Sequence, residues 1–228
     1  MRTVSFRSLA IAAAVLTMSG SVAAQDKPTA LLNTLEVRQL VARAEPEDNL
    51  RLSAHFSSLA DRYTAEAKRH LSMSQSFVGN PSRNLGTGMS AHCKRLADLN
   101  TQSATTAREL AVYHEKQARG TWASLPPDAA QFHSGAGAPE PTDKELKALA
   151  AKASTPSEHR ALEEYFLMLA KRYTGDADQH IALAQQYQGT RLASAAMLHE
   201  HLAGLAREEA KEATAAAEMH KQLAGLLR

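Results

Sequence analysis

Two stretches of this chain are near copies of one another, and both carry an apolar stripe at helical spacing. Phe56-Ser-Ser-Leu-Ala-Asp-Arg-Tyr-Thr-Ala-Glu-Ala-Lys-Arg-His70 aligns with Phe166-Leu-Met-Leu-Ala-Lys-Arg-Tyr-Thr-Gly-Asp-Ala-Asp-Gln-His180 at an offset of 110 residues. Pro46 then falls on Pro156, Glu66 on Asp176 and Phe77 on Tyr187. Farther along the offset becomes 106, which pairs Leu96 with Leu202, Leu99 with Leu205, His114 with His220, and Cys93 with His199. The difference falls at 78–88, where the first copy has the longer connection. Self-similarity on this scale implies one supersecondary unit used twice.

The stripe of the first copy reads Leu52, Phe56, Leu59, Tyr63, Glu66, His70, Met73, Phe77, and that of the second Leu162, Phe166, Leu169, Tyr173, Asp176, His180, Leu183, Tyr187. Steps of three and four keep these side chains on one face of a helix. A second stripe follows in each copy, from Met89 to His114 and from Ala195 to His220. The pattern predicts long helices over 47–77, 89–118, 156–187 and 192–226, with short ones at about 35–44 and 143–153. Pro46 and Pro156 suit a first helical position, where no amide hydrogen is needed. Thr155-Pro-Ser-Glu158 fits a capping box. Turns are signalled by Gly79-Asn80-Pro81 with Gly86 and Gly88, and by Gly189-Thr190.

The expected fold is therefore all-α: a four-helix bundle made of two tandem helical-hairpin repeats with short accessory helices and a pseudo-twofold axis. Its parts would be a leader at 1–24, a first helical repeat at 25–119, a linker or crossover at 120–142, and a second helical repeat at 143–228. The alternative keeps the hairpins as two separate units on the Pro- and Gly-rich linker. Trp122 would be a hydrophobic clip. Aromatic residues make up only 5% of the chain, so the core must rest on Ala, Leu and Met.

Residues 1–24 read as a secretory signal peptide. Arg2 and Arg7 precede an apolar run from Ser8 to Met18, and Val22-Ala23-Ala24 ends in small residues. The two arginines account for the whole formal charge of +2. A mature chain with balanced charge argues against electrostatic capture of nucleic acid. The expected location is periplasmic or secreted, with no span left in a membrane after cleavage. Cys93 is the only cysteine, so no internal disulfide framework is available. In an oxidising compartment it would be buried, metal-bound or, if exposed, a point of self-association.

Four polar residues interrupt the stripes at matching positions: Glu66 and Asp176, His70 and His180. Ionised groups in a core are costly unless partnered. Residues four apart on a helix are neighbours, so each carboxylate could accept from its histidine and leave the second ring nitrogen free to ligate. Counting residues from each turn puts His70 level with Cys93 and His180 level with His199. If the two hairpins pack as a symmetric bundle, these four converge, with Met73, Met89, His92 and His201 within a turn. His, Cys and Met suit copper, and His with Cys suits zinc. The candidate metal site is thus His70, Cys93, His180, His199, Glu66 and Asp176. The competing reading makes the same residues devices of packing and register. His114 and His220 form a second pair expected at the opposite end, with His159 at the height of His220.

Known enzyme signatures are missing. There is no GxSxG elbow, phosphate-cradling loop, CxxC, CxxCH or HExxH. A di-iron bundle needs Glu-x-x-His, and this chain has one residue too many between carboxylate and imidazole. The expected function is a non-enzymatic, exported metal-binding module, with a metal ion or an envelope protein as partner. The alternative is a structural or protein-interaction bundle.

Overall fold

A computed structural model describes residues 31–80, 83–119, 141–190 and 192–226. The leader and nearly all of the linker, Trp122 included, lie outside the described residues. The fold is all-α, with six helices and no strand among the described residues. They are α1 (Thr34–Arg43), α2 (Pro46–Val78), α3 (Arg83–Arg119), α4 (Asp143–Lys152), α5 (Pro156–Tyr187) and α6 (Ala193–Leu226). None is long and apolar enough to cross a membrane.

The helix starts follow local chemistry. Asn33, Thr142 and Thr155 each accept from the amide three residues on, and Glu36, Glu145 and Glu158 reach back to the capping residue's amide. Each box satisfies two amides that the helix cannot. Pro46 and Pro156 open α2 and α5. Ala44, in the left-handed region at φ 52, ends α1 and lets α2 begin two residues later. Gly189, at φ 76, makes the α5–α6 turn.

One boundary departs from expectation. α3 starts at Arg83, six residues before the expected 89, and runs through Gly86 and Gly88. Gly88 is used for packing instead of turning: a Cβ there would lie 2.5 Å from Met219 Cε of α6.

The long helices pair in an antiparallel manner. Asn49 near the start of α2 meets His114 near the end of α3, and Ser74 near the end of α2 donates to the Ser90 carbonyl near the start of α3 at 3.0 Å. α5 and α6 pair likewise through His180 with His199 and His159 with His220. α3 also packs along α6. Here too the helices run opposite ways, because the start of α3 lies by the end of α6 (Gly88 against Met219). The α5–α6 pair is therefore upside down relative to α2–α3, with the two tight turns at opposite ends.

The remaining side is wide. No Cα atoms of α2 and α5 lie within 8 Å of each other. The short helices close this gap, α1 lying against both α2 and α5 at one end and α4 against both at the other. Gln186 of α5 donates to the Arg38 carbonyl of α1 at 2.6 Å, and Asn80 at the end of α2 donates to the Ala150 and Ala153 carbonyls of α4, each at 3.2 Å.

Two apolar clusters fill the interior. One gathers Phe56, Tyr63, Leu110, Leu183 and Tyr187 beside α1. The other gathers Met73, Phe77, Met89, Cys93, Phe166 and Tyr173 beside α4. The stripes read from the sequence are the buried faces: Leu52, Phe56, Leu162 and Phe166 are wholly buried.

Candidate functional site

Polar groups concentrate in the wide α2–α5 gap and between the two apolar clusters. Across the gap, Arg62 of α2 donates to Asp176 of α5 at 2.9 Å, and Arg172 of α5 pairs with Glu66 of α2 at 3.0 Å. Arginine suits this place because its long stem spans a separation that packed aliphatic side chains would leave open. Arg69 adds a 3.4 Å contact to Glu66 and ties it to α4 by donating to Asp143 at 2.5 Å.

These ion pairs correct the expected carboxylate–histidine couples. His70 Nε2 lies 4.0 Å from Glu66, too far for a hydrogen bond. No hydrogen bond joins Asp176 to His180 among the described residues; Asp176 is engaged by Arg62. Burial pushes His70 and His180 down to about pKa 3, with arginine charge acting in the same direction. A neutral imidazole loses the carboxylate to a permanently charged guanidinium.

The six candidate metal residues do not meet. His180 Nδ1 faces His199 Nδ1 at 3.1 Å beside Phe56 and Tyr187, in the α1 half. Cys93 belongs to the other cluster, with Met73 and Met89. His70 lies near the middle, where the Tyr173 hydroxyl approaches its Nε2 at 3.5 Å while receiving a 3.1 Å bond from Asn100 Nδ2. Glu66 and Asp176 are held by arginines. Among the described residues no group of three or more His, Cys, Asp or Glu is placed to hold a metal ion. The cause is the inversion of α5–α6. Counting from a turn gives heights correctly within an antiparallel pair, as His180 and His199 show, but the two turns lie at opposite ends. The same inversion separates His114 from His220.

Cys93 is wholly buried, so it is no exposed point of self-association. Burial pushes its thiol up to about 12. His92 and His201 are not with it either: His92 pairs with Glu212 of α6 at 2.7 Å, and His201 is exposed.

The tautomer of buried His114 follows from its partners. Asn49 spends its amide on the Ala44 and Glu45 carbonyls, so its oxygen faces His114 and must accept. His114 therefore carries its hydrogen on Nδ1, and its Nε2 accepts from the Tyr187 hydroxyl at 2.9 Å. His159 and His220 meet through their Nδ1 atoms at 3.1 Å, at the expected common height. Phe56 and Phe166 stack on His114 and His220 at interplanar angles of 14° and 15°.

Two participants escaped sequence reasoning. His55 accepts from the Leu32 amide on Nδ1 at 3.1 Å and lines a cavity in the gap with Arg62, Asp176 and His180. It sits beside the stripe, not on it, and has no histidine counterpart, because the 110 offset places Tyr165 there. Glu209, wholly buried on α6, accepts from Ser103 of α3 at 3.0 Å. Desolvation raises its carboxyl to about 8. Its position on the second stripe, opposite Ser103 at the 106 offset, was a signal for it.

The chain shows no significant match to any protein family, curated protein or solved structure in the comparisons made.

Proposed function

We propose that the chain is an exported, non-enzymatic four-helix bundle of two tandem helical-hairpin repeats, serving as a structural or protein-interaction element of the cell envelope. In this reading the interior polar residues set packing and register. One observation carries it: the crossed pairs Arg62–Asp176 and Arg172–Glu66, which the 110 offset relates to each other. With the second hairpin inverted, this register brings each arginine to a carboxylate. A slip would bring charges to apolar or like-charged neighbours, so the pairs select one arrangement at some cost in stability. The four charged groups of these pairs are committed to holding the fold.

A charge-exchange experiment tests the reading. Glu66→Arg or Arg172→Glu alone should lower the melting temperature strongly. The double exchange should recover most of the loss. A double variant no better than the worse single one would refute the register role.

A second reading, a copper- or zinc-binding module, is favoured by the two histidine pairs. A separation of 3.1 Å between Nδ1 atoms suits two ligands on one ion, since bonds of about 2.0–2.1 Å would meet at roughly 100°. Metal content by mass spectrometry, on protein purified without chelator or affinity tag, tests it. About one or two equivalents, reduced in His180→Ala or His220→Ala, would support it. Metal-free protein that takes up neither ion when offered would exclude it.

A further inference from the structure

The α2–α5 gap is filled unevenly. At the α4 end it is occupied by Arg69, which reaches Glu66 and Asp143, and by the buried Tyr165. The positions related to these by the offset of 110 are Gln179 and His55. At the α1 end, where these shorter side chains stand, a cavity of about 80 Å³ remains. Its polar lining is His55, Arg62, Asp176, Gln179 and His180, with Phe56, Leu59 and Leu183 among the apolar walls. A single water needs about 10–15 Å³ of such space, so the cavity holds a solute of several heavy atoms.

Hydrogen-bond logic gives its polarity. His55 Nδ1 accepts the Leu32 amide hydrogen, so the neutral ring carries its own hydrogen on Nε2. His199 Nε2 is buried without a partner. Keeping a hydrogen there would bury an unpaired donor, so the hydrogen of His199 lies on Nδ1 and is donated to His180 Nδ1. His180 must then carry its hydrogen on Nε2, for which no protein acceptor stands among the described residues. His180 is 3% exposed and lines the cavity. Arg62 adds a guanidinium at the same wall, one edge of it spent on Asp176.

We propose that this cavity is a binding site for a small oxyanion of carboxylate or nitrate size, held by the Nε2–H groups of His55 and His180 together with Arg62. Two neutral imidazole donors and a guanidinium converge on it. Asp176 limits the net positive charge, so recognition rests on directed hydrogen bonds and favours a small monoanion over a polyanion such as phosphate. Metal ligation by His55 is disfavoured, because its one bare nitrogen is occupied by Leu32.

The test is an NMR titration of the isotopically labelled mature chain with sodium formate and with sodium nitrate at fixed ionic strength. The ring nitrogen shifts should first show hydrogen on Nε2 of both His55 and His180. Added anion should then move these two N–H signals in a saturable manner and leave His114 unmoved. His55→Tyr, which copies the filled end of the gap, should weaken binding at least tenfold while melting remains cooperative. Leu59→Phe, which narrows the cavity and keeps every polar group, should also weaken it. Either of two results would overturn the proposal. One is the absence of saturable shifts with both anions in folded protein. The other is equal affinity in Leu59→Phe and the parent chain.

Discussion

Ser103 of α3 donates to the Glu209 carboxyl of α6 at 3.0 Å, while the second oxygen of Glu209 is buried without a partner. A carboxylate so placed has one hydrogen bond where water would give it several. The proton therefore stays on it, and its pKa rises from 4.5 to about 8.

This sets a slope in stability. Between pH 4.5 and 8 the unfolded chain releases the Glu209 proton and the folded chain keeps it. Stability contributed by the protonated form is complete below 4.5 and lost as pH rises toward 8, by at most about 1.4 kcal/mol per unit. Glu209→Gln should remove this alkaline slope and melt above the parent protein at pH 8. Denaturant titrations of both proteins at pH 5, 6, 7 and 8 would show it. Parallel curves would contradict the buried acid.

The histidines impose the opposite slope at lower pH. His70, His114, His180 and His220 are depressed to about 3 and His55 to about 4, in each case chiefly by burial. The unfolded chain takes up these protons near 6.5 and the folded chain resists them. Their contribution is whole above about 6.5 and disappears as pH falls toward 3–4. Acid unfolding should be cooperative and coupled to uptake of several protons. Measuring stability against pH between 3 and 7 gives that number directly, and a flat profile would mean that the imidazoles are not buried.

Cys93 should be inert in the native state. Its thiol is pushed up to about 12 and has no exposed surface. A disulfide reagent should label it only at the rate of opening, and fully in denaturant. The melting temperature of Cys93→Ser should fall, because a hydroxyl there replaces sulfur among Met73, Met89 and Leu96. Fast labelling of folded protein would be the contrary result.

Asn80→Ala should loosen α4. The Asn80 amide donates to two carbonyls at the end of that helix, Ala150 and Ala153. Removing it leaves buried acceptors unpaired, a loss of about 1–3 kcal/mol. Hydrogen exchange should quicken in α4 ahead of α5 if the loss is local. Equal acceleration everywhere would indicate that α4 and the long helices open as one unit.

The helices were legible because their signals are local. Pro156 with Thr155 and Glu158 marks the start of α5 through chemistry within one turn, and the stripe from Leu162 to Tyr187 marks its buried face. Heights within one antiparallel pair were legible too, which is why His159 met His220. The relation between the two pairs was not. Whether His180 lies beside Cys93 or far from it depends on how the second pair is turned, and no residue near either one encodes that. The evidence sat in Arg62 and Arg172: their place beside the stripe points to acids on other helices, but which acids becomes visible only when the two copies are set antiparallel. Gly88 misled for a related reason: a glycine that starts a turn and one that admits Met219 look alike in sequence.

The short helices carry one more consequence. α1 precedes α2 in the chain yet also lies against α5, and α4 precedes α5 yet also lies against α2. The described contacts between the two halves join α1–α3 to α4–α6. A chain severed between Arg119 and Pro141 should yield complementing fragments, each presenting the other with a short helix, half of two crossed ion pairs and one long helical face. Such fragments should find each other when mixed, and the reassembled pair should differ from the intact chain chiefly in becoming dependent on concentration.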